Sequence, residues 1–192
     1  MYIIIPWGTG ILLPTRVATY LFLQKCVAFF FFLGKNGILR TCEQFFFEDA
    51  VMETVVMYTD GGSRGNPGPS ALGVFLETLG IRYGEFLGNG TNNEAEYAAI
   101  LSGMKRVSEV IGTARARETH LECRMDSELA MRQLTGRYRV KNPRMKHWFD
   151  LIQSEKAHFA QVSFHHVPRE KNKEADRMVN EALDRATKKT VQ

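Results

Sequence analysis

Between residues 55 and 87 three strand-forming runs follow one another with no helix between them: VVMYTD at 55–60, ALGVFLETL at 71–79 and RYGEFL at 82–87. Val, Thr, Tyr and Phe suit a pleated, half-buried surface, and short turns such as the one at Gly80 join antiparallel neighbours. Beyond residue 90 the period changes. Ile100, Leu101, Met104, Val107 and Ile111 stand three or four apart and predict a long helix. Asn92 and Asn93 read as its N-cap, with Glu94 and Glu96 in the first turn. A fourth strand over 120–125 ends at Asp126, and a helix over 127–134 follows. Asn142-Pro143 starts a helix running to about 159, and 161–167 reads as a fifth strand. Asn172 caps a last helix carrying Ala175, Val179, Ala182 and Ala186. Strands separated by helices must run parallel. The expectation is an α/β domain: one mixed five-stranded sheet, three strands antiparallel and then two parallel, flanked by helices.

The first 51 residues are a different text, poor in charge and rich in aromatics, without a clear period of 2 or 3.6. Their most apolar stretch, 20–33, is interrupted by Gln24 and Lys25, which leaves too short a run to span a bilayer. A secretory signal is also a poor match, for the start is not basic and no small-residue cleavage site follows Phe29–Phe32 at once. A weak membrane anchor, an appended structural element, or residues outside the functional protein all remain open. Met52, directly before the first well-formed strand, favours the last. Two regions are therefore expected: an extension over 1–51 outside the catalytic fold, and a domain over 52–192.

Composition excludes other classes. A chain of 192 residues, 44% hydrophobic and 24% charged, is not disordered. Cys26, Cys42 and Cys123 are too few and too scattered for a disulfide framework or a zinc site, which points to a reducing, cytoplasmic setting. The net charge of +4 is unevenly spread: residues 124–192 hold 15 Lys/Arg against 9 Asp/Glu, whereas 52–123 hold 6 against 9. One basic face would suit a polyanion, and a merely solvated surface is the alternative.

The stretch YTDGGSRGNPGPS at 58–70 ends an apolar run with a carboxylate and then turns glycine-rich. Phosphate-cradling glycine loops lead directly into a helix, but here another strand follows and no Gly-Lys-Ser/Thr is present. The loop reads as a hairpin connection that lets something large approach the backbone. Glu96, Asp126 and Asp176 occupy comparable element ends. Singly, each has a structural explanation as a helix cap or a dipole partner. Parallel neighbouring strands, however, carry Asp60 and Asp126 to one sheet edge. Four carboxylates converging there would repel one another unless cations neutralise them. Oxygen-only ligands suit Mg²⁺ or Mn²⁺, and the arrangement matches two-metal phosphodiester cleavage.

YTDGGSRGNPGP, TNNEAEYAAI, MDSELAMRQL and HVPREKNKEAD, in this order and spacing, resemble ribonuclease HI from Met57 to about Ala186. The resemblance implies a ribonuclease H-like sheet and hydrolysis of the RNA strand of RNA–DNA hybrids, leaving 5′-phosphate and 3′-hydroxyl ends. Asp60 would bridge two Mg²⁺ ions, Asp176 would complete the ion that activates water, and Glu96 and Asp126 would hold the ion facing the leaving oxygen. Gly61, Gly62 and Ser63 would admit the hybrid's shallow minor groove with its 2′-hydroxyls. Asn66, Asn92 and Asn93 match positions that contact the strands, although asparagines in turns also serve local hydrogen bonding. His166 matches a proton-transfer or product-release position but also ends the strand VSFHH, and Arg169 is the alternative group. Glu128 stands where some relatives have glutamine. No obligate protein partner, a monomer and no membrane association are implied.

The sequence departs from the family by lacking the Trp-rich basic handle. The run 137–146 keeps five basic residues and Tyr138, either as a smaller phosphate-binding face or as a solvated connection. Two rivals remain: a membrane-anchored protein, which rests wholly on 1–51, and a hybrid-binding module without catalysis. The second would be expected to have lost a carboxylate, and none is lost.

Overall fold

The computed structural model describes residues 52–190, with side chains to 188, and of the preceding residues only the backbone of 2–3, 13–14, 31–33 and 39–41. Chain contacts divide it into Met1–Val51 and Met52–Gln192. In the first unit two short antiparallel ladders are described, Tyr2–Ile3 with Leu13–Pro14 and Phe31–Leu33 with Leu39–Thr41. The remaining expectations about that segment fall outside the described residues. Among these residues no helix is long and apolar enough to cross a membrane.

The second unit is built on five strands: β1 (Glu53–Ser63), β2 (Gly68–Leu76), β3 (Ile81–Gly90), β4 (Thr119–Met125) and β5 (Gln161–His166). Their order across the sheet is β3-β2-β1-β4-β5. β1, β2 and β3 pair antiparallel, and β4 and β5 join parallel to β1, as the sequence implies. The helices are α1 (Asn92–Ile111), the four-residue α2 (Thr113–Ala116), α3 (Glu128–Leu134), α4 (Pro143–Lys156) and α5 (Lys173–Thr190), with a 3₁₀ turn at Arg169–Lys171. The short α2 carries no sequence period and was not expected.

β1 differs from expectation in a way that matters. The strand does not end at Asp60 but continues through the glycines, pairing Gly61 with Leu72 and Ser63 with Ser70. The tight turn therefore lies at 64–67, and Asp60 sits inside the strand. On its other side, pairing with β4 stops at Thr59–Met125. From Asp60 onward β1 has a neighbour on one side only.

Alternation places Val55, Met57 and Thr59 on the buried face under α1, and Asp60 on the opposite face. Helix α1 presents Tyr97, Ile100, Met104 and Val107 to the main core, all at most 1% exposed. Burial of each such side chain stabilises by about 1.5–3 kcal/mol. α4 adds Met145 and Ile152 to the same cluster. On the other face α5 packs Val179, Ala182 and Leu183 against Ala71 of β2. Arg82 of β3 pairs with Glu174 at 2.9 Å and Arg64 of the turn pairs with Asp184, tying α5 to the sheet further.

Local capping corrects two readings. Thr91, not Asn92 or Asn93, caps α1: its hydroxyl accepts from Glu94 N–H at 3.3 Å, and the Glu94 carboxylate accepts from Thr91 N–H at 2.9 Å. This capping box holds the Glu94 carboxyl below its ordinary range, through the Thr91 backbone N–H first and then the hydroxyl. Asn142 caps α4 as expected, with Pro143 in the first turn. Asn172 precedes α5, but its side chain turns inward instead of capping.

Both helices meet the sheet at glycine. A Cβ on Gly61 would lie 2.1 Å from the Ala95 carbonyl carbon and the Glu96 nitrogen, and one on Gly73 2.1 Å from the Ala175 oxygen. Backbone meets backbone at both places, so flexible side chains cannot absorb an added methyl. We expect Gly73→Ala to destabilise the domain by about 1–3 kcal/mol through overpacking. A lowered urea midpoint with unchanged m-value would show it. A variant as stable as the parent would contradict this packing.

Candidate active site

Four elements deliver four carboxylates to the edge where β1 and β4 part. Asp60 projects from β1, Asp126 follows the last residue of β4, Glu96 lies in the first turns of α1, and Asp176 lies in the first turn of α5. All four line one open cleft of about 340 Å³, together with Gly61, Gly62, Ser63, Asn92, Arg169 and Ser127. The close approach at Gly61 sets Glu96 beside Asp60, and that at Gly73 draws the start of α5 toward them. The missing side chain of Gly61 is thus demanded by α1, because a Cβ there would point into the helix backbone.

Each carboxylate has its own hydrogen-bond set. Asp60 Oδ1 accepts from Gly61 N–H at 2.9 Å. Glu96 accepts from Asn92 Nδ2 at 2.9 Å and from the Ser127 hydroxyl. Ser127 also caps α3 by accepting from Ala130 N–H, so one serine ties α3 to Glu96. Asp126 Oδ1 accepts from Asn172 Nδ2 at 3.1 Å. Asp176 pairs with Arg169 at 3.0 Å and accepts from Asn180 Nδ2 at 3.2 Å.

The electrostatic strain is explicit. Burial first, then the Asp126 and Asp176 charges, push the Asp60 carboxyl up to about 7. Burial, opposed by the Ser127 hydrogen bond and reinforced by the Asp126 charge, also brings Glu96 to about 7. Two carboxyls half-protonated near neutrality, one on β1 and one on α1 where Gly61 lets them meet, are a site that gains by taking up cations. Among the described residues no three Asp, Glu, His or Cys side chains converge tightly enough to hold one ion as they stand. The all-oxygen donor set nevertheless fits Mg²⁺ or Mn²⁺. Mg²⁺ in particular takes one or two carboxylates and completes its shell with water and substrate phosphate.

The other expected residues are distributed unevenly. Asn92 is tied to Glu96, and its N–H donates to Asn66 Oδ1 at 3.4 Å, linking the two loops at the cleft rim. Asn93 lies in an adjoining cavity of about 290 Å³ that shares Glu96 as a wall and includes Arg139, Lys141 and Asn142. Arg169 stands at the cleft, 77% exposed beyond its pair with Asp176. His166 does not line the cleft. It is the exposed last residue of β5, opposite Met125. Glu128 itself is exposed and paired with Arg132 at 2.6 Å. Sequence reasoning missed Ser127 as a Glu96 partner and Asn172 as an Asp126 partner. Only the position of each beside a motif carboxylate hinted at this.

Comparison with known proteins agrees with this arrangement. The family model described as Reverse transcriptase-like matches residues 59–182. The bifunctional protein Rv2228c of Mycobacterium tuberculosis is 34% identical over 137 residues, covering 69% of this chain and 36% of its own length. Ribonuclease HI of Halobacterium salinarum is 36% identical over 133 residues, covering 67% of this chain and 64% of its own. The chain thus spans only part of these relatives. The solved structure of LC11-RNase H1 in complex with an RNA/DNA hybrid is 40% identical, with a TM-score of 0.65, and covers 69% of this chain and 99% of that one. On the sheet order, the matched residues and these identities, the chain belongs to the ribonuclease HI family.

Proposed function

We propose that residues 52–192 form a metal-dependent endoribonuclease that hydrolyses the RNA strand of RNA–DNA hybrids. The observation that carries this reading is the convergence of Asp60, Glu96, Asp126 and Asp176 in one open cleft, with two of them driven to about 7. The relative solved with an RNA/DNA hybrid supplies the substrate class.

Asp60 and Asp176 would hold one Mg²⁺, and Asp60, Glu96 and Asp126 a second, with Mn²⁺ able to substitute. Such ions supply Lewis-acid stabilisation of the attacking and leaving oxygens in an in-line displacement. The chain's own residues prepare the rest. Asn172, Ser127 and Asn92 fix the carboxylates from behind through the bonds described above. Arg169, with most of its guanidinium free at the cleft, meets the scissile phosphate or the departing 5′-phosphate. Its place at the cleft favours it over His166 for assisting product release. Gly62, Ser63, Asn66, Asn92 and Asn93 form the rim that meets the minor groove and its 2′-hydroxyls. Water loses a proton as its oxygen bonds to phosphorus, the bond from phosphorus to the 3′-oxygen breaks, and that oxygen takes up a proton to leave as a 3′-hydroxyl. The other product carries a 5′-phosphate.

Three outcomes test this reading. Asp60→Asn should abolish cleavage of a labelled hybrid and leave hybrid binding in place, since binding draws on phosphate contacts elsewhere. Cleavage within about tenfold of the parent would contradict it.

Stability should follow pH in a definite direction. Asp60 and Glu96 rise from 3.8 and 4.5 to about 7 on folding, so the native state binds protons more tightly than the unfolded chain. Without metal their contribution to stability falls as pH rises from about 4 to about 7 and levels off above that. Mg²⁺ competes with those protons, so its gain in melting temperature should grow between pH 5.5 and pH 8, and less so in Asp60→Asn. Equal gains at both pH values would contradict the assignment.

We propose further that residues 1–51 lie outside the catalytic unit, because the sheet and all four carboxylates belong to 52–192. Their deletion should leave initial rates on the hybrid nearly unchanged. A truncated protein that melts lower by more than about 2–4 °C, the equivalent of 1 kcal/mol at this size, would place the segment in the fold.

A further inference from the structure

Asn172 is 1% exposed, and its side chain bonds to β1 at Thr59 and to Asp126 just beyond β4, where the pairing of these strands stops. Its Nδ2 donates to the Thr59 carbonyl at 3.0 Å and to Asp126 Oδ1 at 3.1 Å. Its main-chain carbonyl accepts from Asp176 N–H at 3.1 Å. One residue therefore bonds to Asp126, to the peptide preceding Asp60, and to the backbone of Asp176. The amide orientation follows from the chemistry, since both side-chain partners are acceptors and only the NH₂ end can face them. Its Oδ1 is buried and has no donor among the described residues. An uncompensated buried acceptor is unfavourable, so the side chain does not rest there for its own solvation. A helix cap would use that oxygen to receive an N–H from the first turn of α5, and here it does not.

We infer that Asn172 is a positioning residue for the divalent-metal site, one that holds Asp126 in register with β1 at Thr59, where pairing with β4 stops, and with the start of α5. The inference rests on the metal-dependent reading above. Asp126 projects beyond the last paired residue of β4, where the sheet no longer fixes it. The bond from Asn172 supplies the missing constraint and spends only one side of one carboxylate oxygen. Outer partners that orient metal-binding carboxylates typically change metal affinity or activity by 10–100-fold when removed.

The test is Mn²⁺ binding to the full chain, measured by calorimetry without nucleic acid, beside hybrid cleavage at saturating Mn²⁺. Asn172→Ala should weaken Mn²⁺ binding about 10–100-fold, with KM for the hybrid within about twofold of the parent. Asn172→Ser, which keeps one donor, should fall between the two and decides the matter on the same readout if the alanine variant does not fold. A folded variant that binds Mn²⁺ within about twofold of the parent would overturn the inference alone. A parent chain that neither binds Mn²⁺ nor cleaves hybrid would overturn the functional reading with it.

Discussion

The parallel register of β1 and β4 governs this site. Pairing ends at Thr59–Met125, so the next residue on each strand is an aspartate with no ladder partner between them. Alternation puts both on the same face of the sheet, and their helices bring Glu96 and Asp176 to the same edge. A one-residue slip would send Asp126 to the opposite face and dissolve the cluster. The repulsion among these groups is therefore imposed by strand pairing that the hydrophobic core enforces. Burial first, and the neighbouring Asp126 charge after it, raise the carboxyls of Asp60 and Glu96.

Helix placement depends on what the sheet lacks. Gly61 and Gly73 allow helix backbones to touch strand backbones, and an ordinary residue at either place would hold a helix away. The same contacts that bury apolar faces thus set the distances in the cleft. Stability and site geometry share their determinants, and substitutions at these glycines would disturb both. Arg169 and Asn180 on Asp176, Asn172 on Asp126, and Ser127 and Asn92 on Glu96 complete the frame.

Much of this was legible in the sequence because periodicity changes sharply from strand to helix, and because Glu96, Asp126 and Asp176 sit at or near element ends. Val55 to Asp60, the α1 stripe from Ile100 to Val107, and the Asn142-Pro143 start all read directly. The continuation of β1 through Gly61 and Gly62 did not, since glycine carries no strand preference and pairing with β2 decided the matter. Asn172 reads as a cap because local rules favour that use of asparagine, and a half-buried partner 46 residues away leaves no local trace. Thr91 was passed over for the same reason that Asn92 attracted attention: both types cap, and only the reciprocal bond to Glu94 separates them. His166 stood at the right spacing but ends a strand that leaves it off the cleft, whereas Arg169 in the following 3₁₀ turn reaches it.

The central claim is that these four carboxylates together hold the cations for phosphodiester hydrolysis. Anomalous diffraction from crystals of Asp60→Asn and parent protein grown with a short RNA–DNA hybrid and Mn²⁺ tests it most directly. The account predicts Mn²⁺ peaks in the parent among Asp60, Glu96, Asp126 and Asp176, beside a phosphate of the RNA strand, and their loss or weakening in the variant. Peaks elsewhere on the domain, or a hybrid bound with its RNA strand away from this cleft, would contradict it.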